Sequence, residues 1–299
     1  MRYRLLLGPV FIAIVVALAW LDGVLDRATL PESLRGLFGG RTTPPPGAVV
    51  LAASVVIAIL AARELAAILT ANGIPASKRV VTLAAVAGLM VSCLVPSTLP
   101  APVAAQVVGT VGAAVLLVAL GYYSRHRTVE GAVAAAGGTM LAFVYLGLMF
   151  GFVAAIRREH SAWLLLWFLM TTKGCDTGAF FTGRAIGRHK LILWLSPGKT
   201  WEGLIGGIVS SAAIGAGGLW LLHRAGEAGI PPVWAGAVAG ALFAVTGQLG
   251  DLVMSLFKRD AGLKDSSRLV PGFGGVLDML DSPILVAPVA YWWLHFGAH

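Results

Sequence analysis

Charge is what this sequence has least of: 12% of its 299 residues are Asp, Glu, Lys or Arg, against 58% hydrophobic. A soluble domain of this length needs a charged surface as well as a core, and too few charges are present to cover one. A soluble globular enzyme is thereby excluded, and a membrane protein is expected. Cysteine is equally scarce. Cys93 and Cys175 both fall inside apolar runs, which excludes a disulfide framework, and their spacing does not suit a zinc site. The formal net charge of +8 does not indicate nucleic acid as a partner, because the basic residues lie in short loops between apolar runs. Internal repeats and low-complexity tails are also missing.

What the chain has in quantity is apolar length. A spanning helix needs roughly 20 apolar residues. Runs of that kind cover about 5–21, 47–69, 79–98, 102–122, 133–156, 162–182, 203–223, 233–257 and 279–297. The expected fold class is all-α, a polytopic membrane protein with about nine transmembrane helices. With the N-terminus inside, fourteen Lys or Arg fall on inner segments and six on outer ones. That bias places the N-terminus in the cytoplasm and the C-terminus outside. Met1-Arg2-Tyr3-Arg4 before an apolar run ending near Ala17-Leu18-Ala19 also has the form of a secretory signal peptide. With so many later spans, a retained first helix is expected.

The two halves differ. Residues 1–160 read as N-terminal transmembrane helices forming a scaffold, with Arg63 and Glu64 expected to act structurally. Residues 161–299 read as C-terminal transmembrane helices with cytoplasmic catalytic loops, and eight of the fourteen acidic residues lie from Asp176 onward.

Three stretches in the second half carry chemistry. In the first, Lys173 and Asp176 are spaced to share a helix face and pair, and ionisable groups within a span usually face a polar cavity. A structural ion pair between helices is the plainer reading. The second is Ser196-Pro197-Gly198-Lys199-Thr200-Trp201-Glu202-Gly203. It is not a P-loop, since position 193 is Leu193 and no strand is expected before it. Free backbone N–H groups, hydroxyls and a lysine beside a helix start nevertheless suit phosphate. Ser196 or Thr200 can also cap that helix, with Glu202 in its first turn.

The third stretch runs from Gln248 to Ser282. Gln248, Asp251, Ser255 and Lys258 follow helical spacing, and Asp278 and Asp281 lie one turn apart on the next helix. Between them Lys258, Arg259, Lys264, Asp265 and the glycines Gly272, Gly274 and Gly275 form a basic loop that lets backbone approach a ligand closely. Two carboxylate-bearing helix ends joined this way can hold Mg²⁺ against phosphates.

Ser255-x-x-Lys258-Arg259, Lys264-Asp265, Pro271-Gly272-x-Gly274-Gly275 and Asp278-x-x-Asp281 together resemble the signature of phosphatidate cytidylyltransferases, the CDP-diacylglycerol synthases. Asp176-Thr177-Gly178-Ala179-Phe180, Gly183-Arg184, Gly187-Arg188-His189 and the segment from Ser196 to Gly203 look like the family's other shared blocks. The resemblance covers roughly residues 173–282 in the family's order. Phe273 stands where the family has His, and Met279 where it has Arg.

The resemblance implies transfer of CMP from CTP to phosphatidate within the bilayer. Asp251 and Asp278 are then expected to bind Mg²⁺, with Asp281 and Asp265 in support. Lys199, Lys258, Arg259 and Lys264 are expected to neutralise phosphates. Asp176, Ser196, Thr200, Glu202, Ser255 and the loop glycines are expected to line the substrate site. The expected setting is the cytoplasmic membrane, multi-pass, with the active site facing the cytoplasm and room for a homodimer. Alternatives are a CTP-dependent nucleotidyltransferase or kinase acting on another lipid phosphate or lipid alcohol, or a family member that has lost activity. An ion-coupled transporter is a different class, and the confinement of polar motifs to one half counts against it.

Overall fold

The computed structural model describes residues 2–36, 39–95, 99–125, 129–267 and 274–297. Arg127, Arg268, Pro271, Gly272 and Phe273 lie outside the described residues.

Each of the nine apolar runs falls on a helix. These are α1 (Arg2–Leu25), α3 (Ala48–Ala71), α4 (Lys78–Leu94), α5 (Ala101–Ser124), a rod over 132–159, α8 (Ala162–Ile186), α9 (Trp201–Arg224), α10 (Val233–Asp260) and α11 (Val276–Gly297). The rod consists of α6 (Ala132–Leu141), a π-helical segment (Ala142–Met149) and α7 (Phe150–Glu159). A short α2 (Glu32–Arg35) precedes α3. Six of these helices are long and apolar enough to cross a membrane: α1, α3, α5, the rod, α9 and α10. Helix α4, at 17 residues, sits at the lower limit of spanning length. Helices α8 and α11 carry Lys173, Asp176, Asp278 and Asp281 within their length, and it is these groups that dilute their apolar character.

One departure from an all-helical chain was not expected. Between α8 and α9, β1 (Lys190–Ile192) and β2 (Ser196–Thr200) pair antiparallel with Lys190 opposite Thr200. Only two apolar residues separate Ile192 from Leu195, so the run is too short to signal alternation in the sequence.

Successive helices reverse direction, which collects their connections at two ends. At one end Asn72, just past α3, donates to Asp260 at the end of α10 (2.5 Å). At the other, Asp22 of α1 accepts from Val49 N (2.8 Å) and Val50 N (3.2 Å), the free first-turn donors of α3. Arg157 of α7 pairs with both Asp22 and Asp26 there. The first helix therefore ends beyond the run seen in the sequence, and Asp22 is a charged group it carries into the bundle.

Packing between α9 and α10 depends on Gly215 and Gly236, where a Cβ on either would overlap the other's backbone. Small residues let helices approach when lipid supplies no hydrophobic drive between them. Trp167 of α8 closes the same layer. Its indole N–H donates to Gly215 O (2.8 Å), and its ring packs on Phe243 and Trp293 with centroids 5.9 Å and 6.0 Å away.

Candidate active site

The site starts from a close approach of α10 and α11. Gly250 lies against the backbone carbonyl of Asp281, where any Cβ would collide. Asp251, the next residue, is thereby level with Asp281. Two turns further along α10, Lys258 donates to Asp278 Oδ1 (2.6 Å). The other oxygen of Asp278 accepts from Ser266 N (2.8 Å), Ser266 Oγ (2.9 Å) and Gly275 N (2.9 Å). Asp278 thus ties both ends of the α10–α11 loop to the first turn of α11, where a carboxylate is also favoured by the helix dipole.

Glu64 of α3 completes the loop's seat. This carboxylate is 6% exposed and accepts from Ser266 Oγ (2.9 Å), Ser267 Oγ (2.7 Å), Val276 N (2.9 Å) and Leu277 N (2.9 Å). It satisfies first-turn N–H groups of α11 that have no partner within the helix. Gly275 is required here, because a Cβ would overlap Ser266 Oγ and the Glu64 carboxylate. The neighbouring Gly274 has φ +90°, a conformation side chains rarely adopt.

From the other side, α8 and the hairpin supply lysines. Lys173 reaches Asp176 (3.1 Å) and Asp281 (3.3 Å), and Lys199 pairs with Asp251. Thr200, the next residue, caps α9 by accepting from Gly203 N (3.1 Å). Glu202 fixes the start of the hairpin: it accepts from Arg188 N (3.1 Å), His189 N (3.2 Å) and His189 Nδ1 (2.6 Å). So Lys199 is held between a capped helix and a braced turn, pointing at α10.

The charges do not balance. Among the described residues three lysines, Lys173, Lys199 and Lys258, face five carboxylates, Glu64, Asp176, Asp251, Asp278 and Asp281, in one region of the bundle. Formally two negative charges are left over. The donor set is all oxygen, which suits a hard divalent cation. Asp278 Oδ1 and Asp251 Oδ2 each have a lysine as their partner among the described residues, the place a cation would otherwise take. Among the described residues no three His, Cys, Asp or Glu side chains already converge at metal-binding distance.

The model of the cytidylyltransferase family matches residues 38–296, nearly the whole chain. The chain belongs to the cytidylyltransferase family. It is 40% identical over 131 residues to the phosphatidate cytidylyltransferase of Haemophilus influenzae, covering 43% of this chain and 44% of that protein. It is 37% identical over 150 residues to the phosphatidate cytidylyltransferase of Staphylococcus haemolyticus, covering 50% and 55% respectively. An uncharacterized protein of Escherichia coli, YnbB, is 37% identical over 154 residues, 46% of this chain and 49% of that one. The chain thus spans about half the length of the curated relatives it matches.

The residues singled out in the sequence fall into four groups among those the structure describes. Asp176, Lys199, Asp251, Lys258, Asp278 and Asp281 come together through ion pairs, joined by Gly274 and Gly275 through the loop. Thr200 and Glu202 are occupied by the protein itself, as cap and brace. Ser196 lies in β2 opposite Ile192, and Ser255 sits half-buried on α10 between Asp251 and Lys258. Arg259, Lys264 and Asp265 form an exposed rim, with Arg259 donating to Leu263 O (3.1 Å). Gly272 lies outside the described residues. Glu64 was read from the sequence as a structural residue, and its hydrogen bonds are structural, seating the loop beside the site. The signal was a lone carboxylate inside an apolar run, but nothing in the order of residues says which loop, some 200 positions away, it meets.

Proposed function

We propose that the protein joins CTP and phosphatidate to give CDP-diacylglycerol and pyrophosphate. A phosphate oxygen of phosphatidate forms a bond to the α-phosphorus of CTP. The bond from that phosphorus to the bridging α–β oxygen breaks, and its electron pair leaves with pyrophosphate. The nucleophile is already anionic at neutral pH, so no strong base is needed. The barrier is repulsion between anions, which fixed positive charge relieves.

The observation that carries this reading is the pairing of lysines with the carboxylates expected to bind metal, Lys199 on Asp251 and Lys258 on Asp278. Asp251 and Asp278, with Asp281 behind them, would hold Mg²⁺, which when bound supplies Lewis-acid neutralisation of phosphate oxygens. Lys199 and Lys258, beside those carboxylates, would neutralise the phosphates. Lys173 stays on Asp176 and Asp281 and keeps that pair from repelling Asp251. Arg259 and Lys264, on the exposed rim, meet the departing pyrophosphate. Family membership speaks against the transporter alternative. The reading places the site at the cytoplasmic face of the cell membrane and needs no second copy of the chain.

Purified protein with labelled CTP, phosphatidate and Mg²⁺ tests it. Labelled lipid and pyrophosphate should form in equal amounts, and Asp251→Asn should slow the formation of both by about 10²–10³-fold. Product from a polyprenyl phosphate but none from phosphatidate would shift the substrate to another lipid phosphate. Met279, beside Asp278 where related signatures carry Arg, makes that the second reading to exclude.

A further inference from the structure

A cleft of about 670 Å³ opens between α3 and α4 at the end of the bundle opposite the lysine–carboxylate site. Its walls are apolar: Pro45 and Pro46 before α3, Leu51 and Val55 on α3, Met90 and Leu94 on α4. Two guanidinium groups stand at it, Arg41 from the loop before α3 and Arg158 from the last turn of α7.

The charges at this end are unevenly matched. Arg157 is 3% exposed and is paired with both Asp22 and Asp26. Its neighbour Arg158 is half-buried and donates to the backbone carbonyl of Cys93 (3.1 Å), but neither it nor Arg41 has a carboxylate partner among the described residues. A partly buried guanidinium without a counter-charge is costly, and it has five N–H donors in a fork that fits phosphate. Val55 lies seven residues beyond Ala48 at the start of α3, so the apolar walls reach about two turns, roughly 10 Å, into the bundle. A cationic mouth over an apolar trough of that depth matches a phosphate headgroup with an acyl chain below it. A free anion would use the mouth and leave the trough empty.

We propose that this cleft binds one anionic phospholipid, its phosphate held by Arg41 and Arg158 and an acyl chain lying along Leu51, Val55 and Met90. The assignment is independent of the catalytic reading, because no residue of the cleft belongs to the site at the other end.

Native mass spectrometry of the full chain tests it, after exposure to equal amounts of phosphatidylglycerol and phosphatidylcholine with matched acyl chains. One phosphatidylglycerol per chain should be retained, preferred by about tenfold or more, because phosphatidylcholine carries the same phosphate with a quaternary ammonium that the two guanidinium groups repel. Arg41→Ala with Arg158→Ala should remove the preference. Ala52→Trp, which fills the trough from an exposed position and keeps both arginines, should remove the adduct itself. Arg224→Ala, at the same end but outside the cleft, should change nothing. If the double variant does not fold, Arg41→Ala alone in the exposed loop should still weaken retention. Equal retention of both lipids, undiminished retention in Ala52→Trp, or displacement of the lipid by excess inorganic phosphate would each overturn the proposal.

Discussion

Asp278 and Glu64 share the hydroxyl of Ser266, so a residue expected to bind metal and one expected only to support the fold form a single hydrogen-bonded unit. That unit makes distinct demands on each carboxylate. Every hydrogen bond to Glu64 comes from a protein donor, so Glu64→Gln would set an amide N–H₂ against at least one N–H or O–H donor. The expected result is a loss of about 1–3 kcal/mol in stability, read as a lower midpoint in thermal unfolding of the detergent-solubilised protein. An unchanged midpoint would remove Glu64 from the loop's seat. Asp251 has a lysine as its partner and a different expected outcome. Asp251→Asn should leave the unfolding midpoint nearly unchanged while lowering kcat by about 10²–10³-fold, the scale of losing one preorganised charge-stabilising group. Single-turnover formation of labelled lipid measures this directly.

The hairpin between α8 and α9 is an element whose job is to aim one side chain. Glu202 and Thr200 hold its two ends, and Lys199 projects between them to Asp251. Glu202→Ala should therefore act through Lys199. We expect KM for CTP to rise about tenfold, in line with one lost charge-assisted contact, with helical content by circular dichroism unchanged. Lys199→Met should reproduce the rise in KM, and combining the two should add little, because both act on one contact. The glycine contact between α9 and α10 is an element-level feature of another kind. Gly236→Val would force the two backbones apart and should cost about 1–3 kcal/mol by overpacking, again visible in thermal unfolding.

Across the whole molecule, reversal of successive helices puts the site's loops at one end and the Asp22–Arg157–Asp26 cluster at the other. Cysteine labelling in sealed vesicles checks this. Cys93 and Cys175 are buried and should give little background. A cysteine replacing Lys264 should react from the same side as one replacing Lys78, and a cysteine replacing Arg224 from the opposite side. Labelling of the first and third positions from one side would overturn the topology.

Residue order alone was enough for the class of protein and most of the chemical inventory. Long apolar runs leave a chain no alternative to spanning helices, because backbone polar groups cannot go unsatisfied in lipid. Lysines, carboxylates and glycines gather in three short stretches, and the fold brings several of them to one end of the bundle. Which lysine meets which carboxylate was not legible, since Lys199 to Asp251 joins a strand to a helix and Lys173 to Asp281 joins two helices, and helical spacing speaks only of neighbours on one helix. The role of Glu64 was hidden for the same reason. Its four donors lie on a serine pair and a helix start about 200 residues later, and only the packing of α3 against α11 brings them within hydrogen-bonding distance.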